Sequence, residues 1–107
     1  MGRECEKCIK MVRDVFLRFD HIWRESSIHP WYMTYGVERF VEEDLRKLVE
    51  EGCIKESTYK KLRNEIEQLL LKISPLHVSE KVSEVLPKIY RMMDDVIRDT
   101  AEYCQTV

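Results

Sequence analysis

Apolar residues recur at steps of three and four along most of this chain. Cys5, Cys8, Ile9, Val12, Phe16, Phe19 and Trp23 fall on one helical face, and Met11, Val15 and Ile22 widen it. The spacing predicts a helix over 3–24, packed between two neighbours. Residues 25–31 (Glu-Ser-Ser-Ile-His-Pro-Trp) read as a loop, from the serine pair and the proline. The stretch 32–36 is either a first helical turn or an aromatic-rich connection. A second helix is predicted over 37–51, with Val37, Phe40, Val41, Leu45, Leu48 and Val49 inward and Gly52 ending it in the left-handed conformation. Ser57 is the expected cap of a third helix that buries Tyr59, Leu62, Ile66, Leu69, Leu70 and Ile73 and stops before Pro75. Ser79 is the expected cap of the fourth. Its inward face reads Val82, Val85, Leu86, Ile89, Met93, Val96, Ile97, Ala101 and Cys104, and Pro87 predicts a kink.

Four amphipathic helices joined by short loops predict an all-α protein, an antiparallel up-down-up-down four-helix bundle forming one domain over 1–107. In that register Cys5 faces Cys104, Val12 faces Ile97, Phe16 faces Met93 and Trp23 faces Leu86. The first helix set against the second brings Cys5 level with Cys53. The four cysteines therefore cluster at one end.

That convergence allows two chemistries. Cys5-x-x-Cys8 places two thiols on one helical face, a spacing suited to zinc. Cys53 and Cys104 would complete four thiolates for zinc or for an iron–sulfur cluster. Two disulfides fit equally well, joining Cys5 and Cys8, in either order, to Cys53 and Cys104. A bridge to Cys104 closes nearly the whole chain, worth roughly 4–5 kcal/mol in the chain-entropy account. No cofactor is favoured over the disulfides.

The composition narrows the function. With 107 residues, 44% of them apolar, and only three glycines and three prolines, the chain supports one packed core. Its 18 basic and 20 acidic residues give a net charge of −2, which supplies no general field for nucleic acid. A local basic stripe of Lys60, Lys61 and Arg63, with Lys72 beyond it, is interrupted by Glu65 and Glu67. Nucleic-acid contact is thus open but not favoured. The charged N-terminal segment lacks the apolar run of a signal peptide, and no apolar stretch nears the roughly 20 residues that span a bilayer. The expected compartment is the cytoplasm, without membrane attachment. Asn64 is the only asparagine and Gln68 and Gln105 the only glutamines. Depletion of deamidation-prone amides beside many charges is a hyperthermophile signal.

At the end away from the cysteines the topology gathers His21, His29 and His77 with Trp23, Trp31, Tyr32 and Tyr35. The histidines could ligate a metal or titrate near neutral pH, but no Glu-x-x-His pair of the di-metal bundles occurs. Arg24-x4-His29 resembles the Arg-x4–6-His ribonuclease motif of the HEPN helical bundles, where the pair lies near the start of a late helix. The resemblance implies acid–base work on RNA by Arg24 and His29. Trp31, Tyr32 and Tyr35 read either as a cap on the bundle or as anchors for a partner, since such rings bury much area at little entropy cost. Met11, Met33, Met92 and Tyr90 are further spare apolar positions. No phosphate-cradling glycine loop and no Ser/His/Asp grouping occurs. The expected function is a small thermostable, non-enzymatic accessory or interaction module, acting on a protein partner or as a homodimer. The alternatives are a four-cysteine metal-binding regulator and a nucleic-acid-acting bundle.

Overall fold

The computed structural model describes the backbone of residues 2–29, 31–73 and 78–106, and the side chains of 5–29, 31–73 and 80–104. Within these, four helices form an all-α bundle measuring 45 × 19 × 19 Å. Helix α1 spans Gly2–Ile28. Helix α2 has three continuous stretches, an α-helical Tyr32–Arg39, a π turn Phe40–Leu45 and an α-helical Arg46–Glu50. Helix α3 spans Glu56–Lys72 and α4 spans Val78–Thr106. The start of α1 lies against both Cys53, just beyond α2, and Cys104, near the end of α4. Helix α1 therefore runs antiparallel to both, and the cysteines share one end as the register requires.

The core follows the apolar period. Val12, Phe16, Phe19 and Trp23 of α1 are buried against Val37, Phe40, Leu45 and Leu48 of α2, Tyr59, Leu62 and Ile66 of α3, and Val85, Ile89 and Val96 of α4. Phe19 and Phe40 stack face to face at 3.9 Å, with Phe16 edge-on to both at 6.4 and 5.7 Å and Trp23 edge-on to Phe19 at 6.1 Å. Met33 and Met92, expected as spare positions, are core residues, whereas Tyr90 is exposed and Met11 packs at the core's edge.

Several boundaries differ from the sequence expectation, each for a local reason. Helix α1 continues four residues into the predicted loop. The Ser26 hydroxyl donates to the Ile22 carbonyl and that of Ser27 to the Arg24 carbonyl, both at 2.6 Å, so the serines are satisfied inside the helix. Stretch 32–36 is helix, and α2 begins five residues earlier than its apolar run suggests. Lys55 rather than Ser57 stands at the N-cap of α3, without a side-chain bond. Ser79 lies inside α4, and the helix is continuous across Pro87, which occupies an exposed position. Gly52 ends α2 at φ +75°, as its position predicts.

The π turn was not foreshadowed by the pattern. Residues five apart diverge on an α-helix of 3.6 residues per turn, yet Phe40 and Leu45 are both fully buried. Hydrogen bonds of the i→i+5 type bring such a pair onto one face. Just before it, Gly36 lets α2 approach α1. A Cβ there would stand 2.8 Å from Ile22 Cγ2, and β-branched Ile22 has little rotamer freedom on a helix. Gly36→Ala should therefore destabilise by about 1 kcal/mol, the overpacking cost outweighing the gain in helix propensity. Thermal unfolding checks the sign; a higher midpoint would mean that Ile22 gives way.

Candidate functional site

The cysteine end is built by short, charged connections. Cys5 and Cys8 lie one turn apart on α1, and each sulfur meets a cysteine from another element. Cys5 pairs with Cys104 at a Cα separation of 5.6 Å, and Cys8 with Cys53 at 5.2 Å, both within disulfide reach. Cys53 is buried, whereas Cys5, Cys8 and Cys104 are partly exposed. A four-thiolate ion would need both bonds reduced first, because bonded sulfurs offer no thiolate. Around them, Arg46 holds Glu56 through two bonds of 2.8 and 3.0 Å, which keeps its guanidinium pKa above the ordinary value. The same guanidinium lies over the Tyr59 ring at 5.3 Å, and Lys55 Nζ lies over the Tyr103 ring at 5.5 Å. A depression of about 270 Å³ between α3 and α4 is lined by Lys55, Ser57, Thr58, Asp99, Glu102 and Tyr103, among others. Its cation and its two carboxylates leave no net anion-binding charge.

The opposite end is apolar and uncovered. Trp31 and Tyr35 are 74% and 64% exposed, and Tyr32 is at the margin of exposure. Trp31 and Tyr35 thus stand clear of the core that Trp23 and the phenylalanines fill. Ile28 and Leu71, which the sequence did not single out, are 68% and 80% exposed at the same end. Leu71 belongs there because its neighbour Leu70 lines a groove with Thr34 of α2. No period marks these residues, since each sits at a helix end where the apolar stripe runs past its partners.

Beside this cluster, α1 and α2 enclose a groove of about 370 Å³. Its floor is Ile22, Gly36 and Phe40, and its walls include Arg18, Tyr35 and Arg39. Arg39 Nε bonds Glu43 at 2.8 Å, which holds the guanidinium pKa above its ordinary value. Arg18 Nε lies 3.5 Å from Asp44.

The chain matches no protein-family model, no curated protein and no solved structure.

The remaining candidates separate in space. Arg24 Nε bonds Asp20 at 2.9 Å, and this bond, with a further one to Tyr90, holds its pKa above the ordinary value. His29 packs on Trp31, with ring centroids 4.9 Å apart. The two residues of the ribonuclease-like motif are thus engaged with different partners. His21 stands 3.9 Å from Glu25, and His77 lies outside the described residues. Among the described residues no group of three His, Cys, Asp or Glu side chains converges on a metal position. Lys60, Lys61 and Arg63 are exposed, but Arg63 turns to Glu67 at 3.7 Å and faces α2. Lys72 lines a different groove, with Lys88 and Arg91 of α4. The predicted basic stripe is therefore divided between two faces. No helix among the described residues is long and apolar enough to cross a membrane.

Proposed function

We propose that this chain is an interaction module that docks a protein partner through its aromatic end, without catalysing a reaction. One observation carries the reading. Ile28, Trp31 and Tyr35, three large apolar side chains between 64% and 74% exposed, stand together around the turn from α1 into α2, at one pole of a bundle whose core is otherwise closed. Scattered exposed apolar residues are ordinary on any surface, but a cluster marks a contact site. Tryptophan and tyrosine are the residues that dominate binding energy at such sites. The cysteine end then serves as a covalent staple that keeps the scaffold rigid. We place the protein in the cytoplasm of a hyperthermophile, the intracellular setting in which disulfides persist.

A photo-crosslinking residue at Tyr32 tests the reading in cells that make the protein. The expected product is one discrete protein adduct at near-stoichiometric yield, absent when Trp31→Ala is added and helicity is unchanged. No adduct, or one indifferent to Trp31→Ala, would overturn the proposal.

A further inference from the structure

We propose that the occupant of the aromatic end is a second copy of this chain, in an isologous dimer whose two-fold axis passes beside Tyr35. This deepens the interaction reading above and rests on it. Trp31, Tyr35 and Arg39 follow one another at four-residue steps, so they form one stripe on the outer face of α2. All three are exposed. A ring stands at one end of the stripe, a cation at the other and a second ring between them.

That arrangement is complementary to itself. When two such stripes lie antiparallel, Tyr35 meets Tyr35 at the axis and the Trp31 of each copy meets the Arg39 of the other. A two-fold interface demands this reciprocity, each residue contacting its mate's counterpart. A guanidinium over an indole is the best-matched cation–π pair, and Arg39 supplies the guanidinium. Its Nε is held by Glu43 at 2.8 Å, which fixes the plane of the guanidinium.

The neighbouring groove gives the incoming indole somewhere to go. Its volume of about 370 Å³ is bounded by Arg18, Ile22, Gly36, Arg39 and Phe40, with Ile22 packed against the Gly36 backbone. Charge does not oppose the approach. Arg18 is paired with Asp44 and Arg39 with Glu43, so the facing surfaces are near neutral and bear both signs.

Size sets the strength. Covering the exposed parts of Trp31, Tyr32, Tyr35 and Ile28 removes roughly 500 Å² per copy, and about 1,000 Å² in all, where specific interfaces begin. The dimer is therefore reversible and visible as a function of concentration. A foreign partner would have to supply both the ring and the cation that a second copy already carries in register.

Sedimentation equilibrium from micromolar to millimolar protein tests this. The mass should rise from one chain to two, with Trp31→Ala and Arg39→Ala each moving the midpoint by about 30-fold, as loss of an anchor does. Leu17→Ser, an exposed apolar position of α1 outside the stripe and the groove, should leave the midpoint in place. In Tyr35→Cys the new thiol faces its own mate, so mild oxidation should give a covalent dimer linked through residue 35. A single-chain mass at every concentration, or a dimer indifferent to Trp31→Ala and Arg39→Ala, would overturn the inference. If the crosslink at Tyr32 then joined a different protein, the interaction reading would stand and only the self-association would fall. Binding of the single chain to phosphatidylcholine vesicles through Trp31, with no protein adduct, would remove both.

Discussion

Replacing Cys5 and Cys104 together by alanine should lower the unfolding free energy by about 4–5 kcal/mol. The bond joins residues 99 positions apart, so its loss frees both ends of the unfolded chain on either side of the remaining Cys8–Cys53 loop. Both cysteines must change at once, because a lone thiol one turn from Cys8 would attack the Cys8–Cys53 bond and scramble the comparison. For a domain of this size the melting temperature should fall on the order of 20 °C. Removing Cys8 and Cys53, 45 positions apart, should cost slightly less, about 4 kcal/mol, because the loop is shorter. Denaturant titration without reductant measures both. A loss under about 1 kcal/mol for the longer bridge would mean that it does not restrain the unfolded chain.

Phe40→Ala should rank next, at about 3–5 kcal/mol. The ring is fully buried, stacked on Phe19 and met edge-on by Phe16. Its removal opens a cavity bounded by stiff aromatic neighbours that cannot collapse into it. The position also opens the π turn, so the backbone has little freedom to close the gap. Urea unfolding should show a lower midpoint at unchanged slope, with far-UV circular dichroism retained. A cost below about 1.5 kcal/mol would mean that the rings repack around the space.

The helices and the meeting of the sulfurs were readable because both depend on period and length alone. Val12, Phe16 and Trp23 mark a face wherever the helix lies, and three reversals must return Cys104 to the level of Cys5. The choice of partner was not readable. Cys5 and Cys8 sit one turn apart on the same face, so either can be drawn against Cys53 or Cys104 without changing any apolar position. The serine pair misled for a related reason. Ser26 and Ser27 favour turns when their hydroxyls compete for the backbone, but here both bond back to carbonyls of their own helix. At the aromatic end the pattern gave the residue types and left their exposure open. A tryptophan one step before a helix start has the same spacing whether it folds over the end or stands clear. Arg39 escaped notice altogether, since a charge on an exposed face is ordinary until a ring is seen one and two turns before it.

Both covalent ties lie at a single pole, so the molecule resembles a clothes-peg sprung at one tip. Three of its four limbs are joined there, while at the jaws the chain joins α1 to α2 and α3 to α4, and side-chain packing holds one pair to the other. Small opening motions at the jaws cost no covalent bond, and the spring restores the grip each time. A surface placed there can adjust its fit to whatever it holds while the rest of the frame stays set.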